Sequence, residues 1–201
     1  MKLKLLKFNS VKSTNDVAIR LIKKKVKKPS LIFSKNQVKG RGTMGKKWIS
    51  KKGNLFLSIF FEIKQKKINF KHFAILNAYL LKRILSKQFS NKIKIKWPND
   101  LVFAKNKICG ILQETITQEK NIFLIVGIGI NTNFDPNNKG FSSTSLKNIT
   151  DKHIDNNKLL NIIKKTYEKF LTKTMTYSYL ELKKYVNNLC CLLYTSDAAD
   201  D

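Results

Sequence analysis

The chain has 201 residues, a formal net charge of +27 and 42% hydrophobic residues. That is long enough for one domain with a real core, and too apolar for a disordered chain. Arginine occurs only at positions 20, 41 and 83, so the charge is nearly all scattered lysine. This pattern favours A/T-rich mutational bias over a sequence-specific nucleic-acid footprint, which would use bidentate arginine, although weak, salt-sensitive binding to polyanions is still expected.

In chain order, residues 3–8 read as a first strand. Ser13-Thr14-Asn15-Asp16 supplies N-cap chemistry for a helix running to residue 26, with Val17, Ile19, Leu21 and Ile22 as core candidates. Pro29 ends that segment, and residues 30–34 form a short strand leading to a glycine-rich loop. After a turn at Gly53-Asn54, residues 55–63 read as a strand. Residues 70–89 carry helical periodicity through Phe73, Leu76, Leu80, Leu81, Ile84 and Leu85. Residues 93–97 alternate as a half-buried strand that stops at Pro98. Residues 101–104 and 107–117 are strands about a Lys105-Asn106 turn, and Gln118-Glu119-Lys120 turns into the most apolar strand, residues 121–130. Short turns between neighbours predict antiparallel pairing. Residues 133–149 are loop-rich, with Pro136 and Gly140. A helix over 156–174 follows, through Leu159, Leu160, Ile162, Ile163, Tyr167 and Phe170. The expected fold class is α+β with a mixed, largely antiparallel sheet packed with helices.

Cys109, Cys190 and Cys191 form no C-x-x-C pair, so neither a zinc site nor a disulfide framework is indicated and a reducing compartment fits. Lysines break up the first residues, leaving no signal-peptide core, and no apolar run approaches membrane-spanning length. A cytoplasmic location is expected. No lysine or arginine occurs over residues 187–201, and the last ten residues resemble a translated sequencing adapter. Residues 189–201 are therefore read as a non-native tail on a truncated domain, an ordinary acidic terminus being the alternative.

The loop Gly40-Arg41-Gly42-Thr43-Met44-Gly45-Lys46-Lys47-Trp48 combines three glycines with cations and no acid. Successive N–H groups of such a loop can converge on one anion, as a phosphate or adenylate site requires; a mobile basic surface loop is the plain alternative. The loop spells G-x-G-x-x-G, but a turn and a strand follow it where a dinucleotide fingerprint needs a helix. It also spells G-x-x-x-x-G-K, but Lys47 replaces the Ser or Thr of a phosphate loop. Four further segments stand out: Ser13-Thr14-Asn15, Lys96-Trp97-Pro98-Asn99-Asp100, Lys107-Ile108-Cys109-Gly110-Ile111-Leu112-Gln113-Glu114, and Gly127-Ile128-Gly129-Ile130-Asn131-Thr132-Asn133. Singly, each has a structural explanation: an N-cap, packing tryptophans, one lysine among many, a bulge. His72 and His153 lie far from any acid–nucleophile pattern, and no metal-ligand spacing is present.

Together and in this order, the segments resemble the biotin protein ligases over residues 13–170. The Gly-Arg-Gly loop, Lys-Trp-Pro-Asn-Asp, Lys-x-x-Gly-Ile-Leu and Gly-x-Gly-Ile-Asn make up that family's set. The resemblance implies a catalytic domain over residues 1–188, with the fold shared by class II aminoacyl-tRNA synthetases. It implies activation of biotin by ATP, magnesium arriving with the nucleotide and no dedicated metal site, then transfer to a lysine of a biotin carboxyl carrier protein. By resemblance, Ser13, Thr14, Asn15 and Gln37 bind the ureido head, and Gly40, Gly42, Thr43 and Gly110 help to hold biotin. Arg41 meets the carboxylate and phosphate, and Lys107 is the essential catalytic cation. Trp48 packs on the adenine side, and Gly45, Lys96, Asn99 and Asn131 contact ATP or the adenylate. Asp100 orders the site and serves the acceptor lysine or a magnesium ion.

Three departures matter. Thr43 stands where many members carry a second arginine that helps to retain the adenylate, so weaker retention is expected. No DNA-binding helix-turn-helix precedes the domain, so specific DNA binding and repression are not expected. The small C-terminal β-barrel of bacterial members is missing, which is expected to impair ATP and acceptor binding. No membrane partner is expected, and a homodimer is left open. A lipoate or octanoyl ligase, or a basic nucleic-acid-binding protein, are the alternative readings.

Overall fold

The computed structural model describes residues 1–63, 70–136 and 142–174. Strand β1 (Lys4–Phe8), helix α1 (Thr14–Lys23) and strand β2 (Ser30–Ser34) form a β-α-β unit with the two strands parallel. Helix α1 ends before the expected residue 26. Lys25 is left-handed (φ 62°), its N–H donates to the Ile22 carbonyl and that of Val26 to the Leu21 carbonyl, the two bonds of a Schellman cap. Val17 and Ile22 are buried as expected, Ile19 and Leu21 only partly, and Ala18 is fully buried beside them.

Strands β3 (Leu55–Glu62), β4 (Lys94–Lys96), β5 (Asp100–Phe103), β6 (Asn106–Gln118) and β7 (Asn121–Ile130) complete a seven-stranded sheet in the order β1-β2-β3-β7-β6-β5-β4. Every pairing after β1–β2 is antiparallel, so the sheet is mixed and largely antiparallel. The β5–β6 turn lies at Ala104-Lys105, one residue before the expected position. Both residues have positive φ, the backbone that a two-residue hairpin loop needs to match strand twist. Strand β4 is shorter than the expected strand: Ile93 is buried ahead of it, but Trp97, at its end, is 64% exposed.

Helices α2 (Phe70–Gln88) and α4 (Asn156–Thr174) cover one face of the sheet, burying Leu76, Leu81, Leu160 and Ile163 against Leu57, Val126 and Ile128. Helix α1 covers part of the other face, against Ile32, Phe60 and Ile125. Removing such side chains from water is the main favourable term in folding. Helix α3 (Leu146–Thr150) interrupts the segment expected to be loop; Ser145 caps it by accepting from Asn148 N–H (3.2 Å). Five residues are too few to register as a helical period.

A polar tie crosses the core between the helices and the sheet. Tyr167 donates to Asn77 Oδ1 (2.9 Å), and Asn77 Nδ2 donates to Gln113, linking α4 to α2 to β6. Burial pushes the Tyr167 hydroxyl far above its ordinary range, so it remains a donor. Burial does the same to the Cys109 thiol and leaves it unreactive. Cys190, Cys191, the His72 side chain and the tail over residues 189–201 lie outside the described residues. No helix among the described residues is long and apolar enough to cross a membrane.

Candidate active site

The face of the sheet not covered by α2 and α4 carries a bare strip of backbone. Gly110 on β6 faces Gly129 on β7, and one pleat further along Gly127 faces Ser58 on β3. A Cβ at Gly129 would lie 2.4 Å from the Trp48 indole, and one at Gly127 would lie 2.3 Å from Asn15 Oδ1. The glycines thus let one ring from the loop and one amide from α1 rest directly on the sheet.

Around Asn15 the polar groups are mutually satisfied. The Thr14 backbone N–H and hydroxyl both donate to Gln37 Oε1 (2.8 and 3.0 Å), and Gln37 Nε2 donates to Ser50 Oγ (3.2 Å). Ser58 Oγ lies within hydrogen-bond reach of Thr14 Oγ1 (2.7 Å) and of Asn15 Oδ1. Asn15 Nδ2 donates to Glu114 Oε2 (2.7 Å). Ser13, the N-cap, makes no side-chain cap bond and is buried at the same end. Ser58 and Glu114 are not among the residues expected from sequence. The signal for Ser58 was a lone hydroxyl inside an apolar strand; that for Glu114 was an acid four residues after Gly110, on the same face of a strand.

Arg41, expected to meet a carboxylate and a phosphate, is engaged by protein carboxylates. Its guanidinium forms a bidentate pair with Glu114 (2.8 and 2.7 Å) and reaches Asp16 (3.0 Å). Burial opposes its charge, but the bonds and charge of Glu114, helped by Asp16, more than offset this and raise its pKa.

Lys107 reaches the same face through a β-bulge. Leu101 pairs with Cys109 and Val102 with Lys107, so Ile108 is an extra residue on β6. Ile108 and Cys109 are both buried in the core beneath α2 and α4, while Lys107 turns to the glycine face. Its Nζ sits 2.7 Å from Asp100 Oδ2 and 5.4 Å from the centre of the Trp48 ring. Asn99 braces the adjoining strands: its Nδ2 donates to the Ile111 carbonyl (2.8 Å), and Ile111 N–H to the Asn99 carbonyl (2.9 Å).

Two neighbouring cavities result. The first, of about 450 Å³ including its mouth, is lined by Ser13, Thr14, Asn15, Gln37, Arg41, Asn99 and Gly110 among others. The second is lined by Lys46, Lys47, Lys96, Lys105 and Asn131 among others. Gly42, Thr43, Trp48, Asp100 and Lys107 line both. Asn131 Nδ2 donates to the Thr144 carbonyl (3.2 Å), but its Oδ1 is buried with no hydrogen-bond partner. Asn99, expected on the ATP side, belongs to the wall of the first cavity. Gly40 and Gly45 line neither: Gly40 sits at the loop base against Ser50 and the Trp48 carbonyl, and Gly45 (φ 72°) is exposed. The chemistry on offer is hydrogen-bond recognition at one end and anion binding at the other, with Lys107 between.

The similarities to known proteins follow this geometry. The chain is 31% identical over 123 residues to the bifunctional ligase/repressor BirA of Escherichia coli (strain K12), covering 60% of this chain and 38% of that protein. It is 28% identical over 177 residues to the bifunctional ligase/repressor BirA of Bacillus subtilis (strain 168), covering 85% of this chain and 54% of that protein. The chain therefore spans about half the length, or less, of these curated relatives. Biotin protein ligase from Aquifex aeolicus, solved in complex with biotin and ATP, superposes with a TM-score of 0.74 at 30% identity, covering 91% of this chain and 76% of that one. The signature of the biotin/lipoate A/B protein ligase family matches residues 7–131, more than half of the sequence, and the chain belongs to that family.

Proposed function

We propose that this chain is the catalytic domain of an ATP-dependent biotin protein ligase. The observation that carries the reading is the pair of cavities sharing Lys107, one ending in a neutral hydrogen-bonding pocket and the other rimmed by lysines. Biotin fits that polarity: a ureido head for the Thr14–Asn15–Ser58 end and a carboxylate for Lys107. ATP fits the second cavity, with the orphaned Asn131 Oδ1 available to accept from an adenine amino group and the lysines facing the phosphates.

In the first half-reaction a biotin carboxylate oxygen attacks the α-phosphorus of ATP. The bond to the β-phosphate bridging oxygen breaks, and pyrophosphate leaves. Lys107 lies where negative charge builds on both reactants, and a fixed cation there stabilises the transition state more than the separated substrates. Magnesium accompanies the ATP phosphates; Asp100, which lines both cavities, is the carboxylate positioned to meet it or the acceptor amine. In the second half-reaction the deprotonated amine of a carrier-protein lysine attacks the acyl carbon of biotinyl-5′-AMP, forming an amide and releasing AMP. The natural acceptor in this reading is a biotin carboxyl carrier protein.

Lipoate is the competing substrate within the family. Its dithiolane ring has no strong hydrogen-bonding group, so binding it would leave the polar end of the first cavity without a partner. The deciding experiment is exchange of labelled pyrophosphate into ATP, run with biotin and with lipoate. Exchange that requires biotin is expected; exchange that follows lipoate, or none from folded protein, overturns the proposal.

A further inference from the structure

Strand β7 stops at Ile130, yet Asn131, Thr132 and Asn133 beyond it are buried. Buried backbone groups outside a strand ladder still need partners, and here side chains supply them. Asn54, the residue before β3, accepts on Oδ1 from the consecutive N–H groups of Asn133 and Phe134 (2.9 Å each) and donates through Nδ2 to the Phe134 carbonyl (2.8 Å). Asn133 forms a reciprocal pair with Ile154, ahead of α4. The Ile154 N–H donates to Asn133 Oδ1 (2.8 Å), and Asn133 Nδ2 donates to the Ile154 carbonyl (3.0 Å). The Gly53 carbonyl collects donors from Thr132 Oγ1 (3.2 Å), Asn133 Nδ2 (3.1 Å) and Asn156 Nδ2 (2.7 Å). Each asparagine thus acts as a peptide group carried on a side chain, with donor and acceptor in one plane. The knot joins the entry of β3, the exit of β7 and the start of α4.

Neither Asn54 nor Asn133 lines either cavity, but Asn131, two residues before Asn133, lines the second. The Asn131 backbone is held by its N–H to the Ile108 carbonyl and by Leu146 N–H to its carbonyl (2.8 Å each). Its buried Oδ1 can be aimed no better than the chain on either side is held. Strand β7 holds one side. The knot holds the other, together with Lys147 N–H to the Thr132 carbonyl (2.8 Å).

We propose that Asn133, braced by Asn54, is a positioning residue for the nucleotide: it fixes the backbone after β7 and so the aim of the Asn131 carboxamide. The effect on ATP rests on the function proposed above; the hold on the backbone does not.

In biotin-dependent pyrophosphate exchange, Asn133→Ala should raise the KM for ATP about fivefold and leave that for biotin unchanged. Asn133→Asp should be worse, because a second oxygen would face the Gly53 and Ile154 carbonyls. In an Asn131→Ala background, Asn133→Ala should add little to the KM for ATP, since both changes act through one carboxamide. Tyr167→Phe, which cuts the core bond to Asn77, is the control for lost stability: it should lower the melting temperature and move neither KM. Amide hydrogen exchange gives a readout without substrate. Asn133→Ala should speed exchange at Leu146 and Lys147 by about tenfold while the β6–β7 ladder stays protected. Should Asn133→Ala fail to fold, Thr132→Val keeps the shape, drops one donor to Gly53 and should raise the KM for ATP about twofold with the same local exchange. Both Michaelis constants rising together, effects that multiply with Asn131→Ala, or unaltered exchange at Leu146 and Lys147 overturn the proposal. If wild-type protein shows no pyrophosphate exchange, the ligase reading fails while amide exchange still decides the positioning.

Discussion

At one end of the trough Thr14, Asn15, Gln37 and Ser58 spend their hydrogen bonds on one another. At the other, Asn131 Oδ1 is buried without a partner and the rim is made of exposed lysines. A small neutral head group can be selected only by donors and acceptors already fixed in place, since each mismatch leaves a buried group unpaired. In the proposed reaction a nucleotide enters, loses pyrophosphate and leaves again as AMP; long, exposed lysines suit that traffic better than a rigid cage.

Four changes would break or sharpen this contrast. The largest effect is expected from Lys107→Ala: a loss of about 100-fold or more in biotin-dependent pyrophosphate exchange, with the melting temperature nearly unchanged. Unaltered turnover would remove Lys107 from the chemistry. Gly127→Val comes next. Its side chain would strike Asn15, which Glu114 and Ser58 hold in place, so the KM for biotin should rise by about tenfold or more and stability should fall by about 1–3 kcal/mol. Titrating biotin and ATP separately checks that the damage stays at the head-group end. Asn131→Ala should raise the KM for ATP by about five- to tenfold and leave that for biotin alone. If both constants move together, the two ends are not independent. Ser58→Ala should act least, costing about 1–2 kcal/mol in a denaturant melt and raising the KM for biotin a few-fold.

Much of this architecture was legible in the residue pattern. Strand β7, helix α4 and the hairpin joining β6 to β7 came from periodicity and turn residues alone, because each is long and has one uniform environment per face. Lys107, Gly110, Asn131 and the Ser13–Asn15 corner were singled out in sequence and do come together around the two cavities. Ser58 escaped notice because a polar residue in a strand reads as ordinary alternation until its cross-strand neighbour is known to be Gly127, and Glu114, at the end of a segment singled out for its lysine and glycine, was given no role because its cross-strand neighbour is the apolar Ile125. The Arg41–Glu114 pair joins residues 73 positions apart, a distance that no local pattern spans. Helix α3 was too short to register, and Trp97, read as packing, is exposed because β4 ends one residue before it.

The extra residue at Ile108 turns the spacing Lys-x-x-Gly into a measuring device. In a regular strand, residues three apart point to opposite sides, so Lys107 and Gly110 could never serve one ligand. They line one cavity because the strand miscounts once, between them. Were Ile108 taken into a regular ladder, with no bulge, the ammonium group would be driven towards the side occupied by Cys109 and Ile111, where no water could follow it. What this segment has to preserve is therefore a miscount as much as a set of side chains: three residues' spacing serves one face only while one residue between Lys107 and Gly110 stays outside the ladder.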